Sequence, residues 1–286
     1  MADKIDRKVL LRTLSIFNLL FLLFVSSIYA ETAEKYFNRG VAYGKQGNLT
    51  EAISDFTKAI EINPKYAVVY NNRGNAYGDQ GNLPQAISDY TKAIEINPKY
   101  AEAYYSRGLA YYYQGNLTQA ISDNSKAIEI NPKDEKAYYN RGNVYYDQGN
   151  LPQALSDYNK AIEIDPKKAE AYHNRGNAYC DQGNLTQAIS DYTKAIEINP
   201  KCAEAYCSYG NVYYKQGNLP RAISYYSKAI EVNSKLAEAY YCRGIAYYKA
   251  KEYDKAWIDV HKAEELGYKI RLGFLEELKK ASGRSK

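Results

Sequence analysis

Few residues in this chain can do acid–base, nucleophilic or metal chemistry. Its 286 residues include two histidines, His173 and His261, which is little material for a histidine-based catalytic or metal site. Four cysteines stand at Cys180, Cys202, Cys207 and Cys242. Cys242 is not far from Cys207 and His173, but ligand spacing across separate helices is unspecific, and no metal site is expected. No pair of cysteines meets bridging geometry on sequence grounds, so free thiols are expected even in an export compartment that permits disulfides. No phosphate loop, nucleophile elbow, zinc signature or isolated carboxylate pair stands out, so no catalytic residue and no cofactor is assigned. What recurs instead is arginine, aspartate and asparagine at fixed intervals among 33 tyrosines. Such residues recognise partners by hydrogen bonds and contact area rather than by reaction.

Those intervals belong to a period of 34 residues, in blocks 33–66, 67–100, 101–134, 135–168, 169–202, 203–236 and 237–270 of a repeat region 31–270. Gly40, Gly74, Gly108, Gly142, Gly176, Gly210 and Gly244 fall at position 8 of the block. Ala52 and Ala59, at positions 20 and 27, have counterparts in every block. Positions 4, 8 and 11 share one face of a first helix, and positions 20, 21, 24, 27 and 28 one face of a second. Gly47-Asn48 and its copies break the chain between the two. Proline at position 18 suits the first turn of the second helix, and proline at position 32 ends it.

This helix-turn-helix pattern resembles the tetratricopeptide repeat (TPR) family. The resemblance implies an all-α, right-handed α-solenoid of seven helix-turn-helix units, with a concave face built mainly by first helices. The seventh block is irregular, with Lys251-Glu252 for Gly-Asn and Tyr268 for proline. After it, Phe274, Leu275 and Leu278 among charged residues predict a capping helix within 271–286, ending in a basic tail.

One pairing is readable inside the repeat. Arg39, Arg73, Arg107, Arg141, Arg175 and Arg243 occupy position 7, and Asp55, Asp89, Asp123, Asp157, Asp191 and Asp259 occupy position 23. In the sixth block both change together, to Tyr209 and Tyr225. Joint replacement predicts an ion pair between the two helices of a repeat, exchanged once for a Tyr–Tyr contact. Arginines with internal partners are weak candidates for an anion-binding row. Asn124 replaces the aromatic at position 24, a polar group that needs water or marks a weak spot.

The stripe expected to face the concave side holds asparagine at position 6 (Asn38, Asn72, Asn140, Asn174) and at position 9 (Asn75, Asn143, Asn177, Asn211). Each offers a donor and an acceptor to an extended peptide backbone. Beside them lie Tyr105 and Tyr139 at position 5 and Tyr112, Tyr146 and Tyr214 at position 12, large contact surfaces with few rotors. The rows are similar to the asparagine ladder in the TPR superhelix of O-linked N-acetylglucosamine transferases. They are interrupted at Ser106 and Leu109 and at Cys242 and Ile245. The charged clamp that the family uses for tail carboxylates is not matched, since only Lys136 is basic at position 2.

The expected function is a non-enzymatic scaffold that binds a protein or peptide segment in the concave groove. A non-catalytic subunit or targeting arm of an envelope complex, and a self-associating solenoid, are the alternatives. The net charge of +5 sits at the two ends rather than on one basic face, so nucleic acid is not an expected partner, nor is a small-molecule substrate. Lys4, Arg7, Lys8 and Arg12 precede an apolar run from Leu14 to Val25 and a small residue, Ala30. That order predicts a signal peptide over residues 1–30, cut after Ala30, with the remainder periplasmic or secreted. An uncleaved membrane anchor over residues 13–30 is the competing reading.

Overall fold

The computed structural model describes residue 16 and residues 32–283. Apart from residue 16, the expected signal peptide or anchor lies outside the described residues. Among the described residues there is no strand, and no helix is long and apolar enough to cross a membrane. The helices are α1 (32–45), α2 (Leu49–Ile62), α3 (Ala67–Asp79), α4 (Leu83–Ile96), α5 (Ala101–Tyr113), α6 (Leu117–Ile130), α7 (Glu135–Asp147), α8 (Leu151–Ile164), α9 (Ala169–Asp181), α10 (Leu185–Ile198), α11 (Ala203–Lys215), α12 (Leu219–Val232), α13 (Ala237–Lys249), α14 (Tyr253–Glu265) and α15 (Leu272–Ser282).

Two compact units divide the chain, one ending at Pro132 and the other beginning at Lys133. In the first, helices α2 to α6 each pack against the next, and the first helices α3 and α5 also touch. In the second, α7 to α14 repeat that arrangement, with α7 against α9, α9 against α11 and α11 against α13. The result is the consecutive helix-pair packing of a TPR solenoid, and α15 is added after the last pair. There Phe274 and Leu278 are buried beside Tyr241, Trp257 and Val260, and Trp257 Nε1 donates to Ser282 Oγ at 2.9 Å. The amphipathic C-terminal segment therefore caps the last pair.

Close approach of the two helices in a pair depends on glycine at position 8. A Cβ on Gly176 would stand 2.7 Å from Cε1 of Tyr192, so any larger residue displaces that ring. The alanines at positions 20 and 27, such as Ala188 and Ala195, are fully buried for the same reason. The turn inside each pair needs a left-handed residue, met for example by Gly183 at φ 81°. The seventh repeat lacks that glycine yet keeps the turn, because Lys251 takes the same conformation at φ 62°, at a cost in strain. The second helices α2, α4, α8 and α10 end on an asparagine or aspartate turn as well as on proline. Asn63 Oδ1 accepts from the Lys65 N–H at 3.2 Å, and Asn233 Oδ1 from that of Lys235 at 3.0 Å. The second case has Ser234 where other repeats have proline, so the stop survives without the ring.

Candidate binding face of the first helices

The arginine row is occupied internally. Arg73, Arg107, Arg141 and Arg175 each grip the aspartate 16 residues on, Asp89, Asp123, Asp157 and Asp191, through Nε and Nη2 at 2.6–2.9 Å. Arg39–Asp55 and Arg243–Asp259 pair in the same way, and the Arg39 hydrogen bond holds the Asp55 carboxyl below its ordinary range. The remaining nitrogen reaches back one repeat, from Arg73 to Thr57 at 3.0 Å, Arg107 to Thr91 at 3.0 Å, Arg175 to Asn159 at 2.6 Å and Arg243 to Ser227 at 2.9 Å. A two-sided fork of this kind suits the planar guanidinium. In the sixth repeat Tyr209 and Tyr225 stack instead, with ring centroids 4.2 Å apart. The arginines therefore join helices and repeats, and offer no free fork to an anion.

The asparagines at position 9 have an internal duty that the sequence reading did not assign. The buried tyrosines Tyr90, Tyr158, Tyr192 and Tyr226 donate their hydroxyls to Oδ1 of Asn75, Asn143, Asn177 and Asn211, at 2.9, 2.9, 2.8 and 2.7 Å. A buried phenol needs such a partner. Where position 24 carries no phenol, position 9 carries no asparagine: Val41 goes with Phe56, Leu109 with Asn124 and Ile245 with Val260. Burial of these phenols raises the pKa of Tyr90, Tyr192 and Tyr226, so they remain donors. The groove consequence is directional. The acceptor side of these amides is engaged, while Nδ2 of Asn75 and Asn211 has no partner among the described residues. A ligand would meet hydrogen-bond donors.

At position 6 the asparagines differ among themselves. Asn174 Nδ2 donates to Asn143 Oδ1 at 2.9 Å and to the Tyr139 hydroxyl at 3.0 Å, a ladder rung between neighbouring first helices. Asn72 follows a repeat with Phe37 and Val41 at those positions, and bonds back to Val68 O at 2.8 Å. Asn140 is buried, with Nδ2 lacking a partner among the described residues, and Asn38 is exposed.

Residues 35 apart meet across neighbouring first helices. Asn174 and Tyr139 follow this rule, as do Tyr146 with Asp181 at 2.5 Å, His173 with Ser208 at 3.0 Å and Lys215 with Cys180 at 3.3 Å. In the second unit the Tyr146–Asp181 and Lys215–Cys180 contacts border a cleft of about 310 Å³ lined by Tyr146, Asn177, Cys180, Asp181, Tyr192, Ser208, Asn211, Tyr214 and Lys215. Burial and the neighbouring Asp181 raise the Tyr146 pKa, keeping its hydroxyl protonated. Burial lowers that of His173 and keeps the ring neutral. A cleft of about 360 Å³ in the first unit is lined by residues that include Asn75, Asp79, Glu102, Tyr105, Ser106, Leu109 and Tyr113. Of the tyrosines singled out from sequence, Tyr146 and Tyr214 reach the second cleft and Tyr105 the first. Tyr139 lies against Tyr158, and Tyr112 against Tyr113. Asp181 and Lys215 at position 13 give the cleft its charge and were not singled out by the sequence.

The four cysteines are free, Cys180 and Cys207 buried and Cys202 and Cys242 half-buried. His173, grouped with Cys207 and Cys242 by sequence position, bonds Ser208 instead.

The repeat, its turn and its packing are matched by known proteins. A family model described as a TPR repeat matches residues 74–115, 108–149, 142–179, 176–217 and 210–251. Two models described as tetratricopeptide repeats match 33–66 and 56–88. A tetratricopeptide repeat protein from Parabacteroides merdae ATCC 43184 is similar in structure, with 23% identity over 89% of this chain and 100% of that one, and a TM-score of 0.68. YrrB, a TPR protein with an unusual peptide-binding site, has 28% identity over 64% of this chain and 95% of its own, at a TM-score of 0.53. The MamA protein has 30% identity over 61% of this chain and 95% of its own, at 0.53. No curated protein matches the chain. With its 34-residue helix pairs and the family models matched from residue 33 to residue 251, the chain belongs to the tetratricopeptide repeat family.

Proposed function

We propose that the chain is a non-catalytic interaction scaffold that holds an extended segment of a partner protein along its first helices. The observation that carries this reading is the cleft of the second unit. There Asn177 and Asn211 line a cleft together with Tyr146 and Tyr214. Their Oδ1 atoms are already used by Tyr192 and Tyr226, so the amides are fixed in orientation; Asn211 presents its Nδ2 as a donor, while Nδ2 of Asn177 stands 3.5 Å from His173 Nε2. Donors held in this way suit the carbonyls of an extended backbone, and the tyrosines give contact area at low entropic cost. Asp181 and Lys215 add a charge of each sign at the rim. The similarity to a peptide-binding TPR protein, YrrB, supports the same reading. The basic and apolar order of residues 1–30 supports export, or anchoring by residues 13–30, and hence a partner outside the cytoplasm.

Photo-crosslinking tests the placement. A peptide selected from a random library on the purified chain is presented to two variants. One carries a benzophenone side chain in place of Tyr214, the other in place of Lys194, an exposed residue of α10 that pairs with Glu197. The expected result is a crosslink from position 214 and none from 194. The reverse would move the function to the second helices.

A further inference from the structure

Cys207 and Cys242 are 35 residues apart, the separation that joins neighbouring first helices elsewhere in this fold, and they come from α11 and α13, which pack together. Cys207 Sγ, Cys242 Sγ and a carboxylate oxygen of Glu238 all lie within 4.8 Å of one another. Glu238 and Cys242 are four residues apart on α13 and so share a face. Burial is graded: Cys207 is buried, Cys242 is half-buried and Glu238 is exposed, which leaves a path from solvent. The repeat does not demand these thiols. Position 5 carries Phe37, Asn71, Tyr105, Tyr139, His173 and Tyr241 in the other blocks, and position 6 carries asparagine or serine. Only between the sixth and seventh repeats do both positions become sulfur, while glutamate at position 2 is shared with Glu34, Glu102, Glu170 and Glu204.

We propose that Cys207, Cys242 and Glu238 bind a thiophilic divalent cation of the zinc class, pinning the sixth repeat to the seventh. Two thiolates and a carboxylate suit a tetrahedral d¹⁰ ion, with the fourth position left to water. At a zinc–sulfur length of about 2.3 Å, two sulfurs of a tetrahedral site stand roughly 3.8 Å apart, so the cluster closes on the ion by small side-chain movements. Each thiol gives up its proton to solvent on binding, so the site is stronger at higher pH.

The test uses the full chain, reduced and stripped with chelator under anaerobic conditions, with Co²⁺ as the probe. One equivalent should produce a thiolate-to-cobalt charge-transfer band that Zn²⁺ then removes, and Zn²⁺ should raise Tm. Cys242→Ser should abolish the band. Glu238→Gln, a change on the surface that leaves the fold intact, should weaken Co²⁺ binding at least about tenfold. Cys202→Ser should leave it unchanged. Absence of the band from the reduced chain overturns the site, as does a band that survives Cys242→Ser.

Discussion

The third and fifth repeats share one backbone pattern and close it with different chemistry. In the fifth, the ring of Tyr192 fills the space above Gly176, is 1% exposed, and donates its hydroxyl to Asn177. In the third, Asn124 stands above Gly108, fully buried, with Nδ2 on Ala120 O at 2.8 Å and Oδ1 without a partner among the described residues. The neighbouring residue on the first helix follows: asparagine beside the phenol, Leu109 beside Asn124. The comparison teaches that the asparagine row is first a set of partners for buried phenols. Its availability to a ligand is what remains after that bond.

The largest effect that sharpens this contrast is loss of a ring. Tyr192→Ala should cost about 4 kcal/mol, through lost transfer energy and the cavity left behind. In the third repeat the sign reverses, and Asn124→Leu should be neutral or stabilising by up to about 1 kcal/mol, because a buried polar group with an unmet acceptor is removed. Urea unfolding measures both. Equal losses at the two sites would break the comparison.

Next comes the junction that both repeats share. Asp123→Ala should cost about 3 kcal/mol, because it strands the guanidinium of Arg107, which is 17% exposed. In a double-mutant cycle with Arg107→Ala the coupling should be about 1–3 kcal/mol. Strict additivity would mean that the fork contributes nothing as a pair.

A smaller effect separates the phenol hydroxyl from its ring. Tyr192→Phe should cost about 1 kcal/mol, since Asn177 Oδ1 loses its donor. Adding Asn177→Leu should recover most of that loss, which recreates the apolar pairing of Val41 with Phe56. A double variant no more stable than Tyr192→Phe alone would show that the two residues are independent.

The smallest expected effect is a pH slope. Burial depresses the His173 pKa, so below about 6.5 the unfolded chain binds a proton that the folded chain resists. Stability should therefore fall as pH drops from about 6.5 toward the lower folded value, and His173→Gln should flatten that part of the profile. A slope identical in the variant would assign the dependence to other groups.

Much of the fold was legible because the period is written in small residues. Gly176 and Ala188 admit almost nothing else, and their spacing alone places two helices. The Arg107–Asp123 relation was legible because one repeat, with Tyr209 and Tyr225, changes both partners at once. The same kind of evidence lay in Val41 with Phe56 and Ile245 with Val260, but asparagine on a polar face has a ready explanation as solvent contact, which hid its bond to a tyrosine in the next helix. Contacts between repeats were not legible. Asn174 with Tyr139 and Tyr146 with Asp181 meet only because neighbouring first helices are offset by one residue beyond the period, and that offset is a property of packing. Lys251 shows the converse, a turn retained where its glycine is missing.

The central claim is that the residual donors of the asparagine row hold a peptide. The most direct measurement compares peptide affinity in the intact chain and in the Tyr226→Phe/Asn211→Leu variant, which removes the Nδ2 donor while keeping the pair packed. Stability should stay within about 0.5 kcal/mol of the parent and affinity should weaken about tenfold, the value of one lost hydrogen bond. Unchanged affinity at unchanged stability would contradict it.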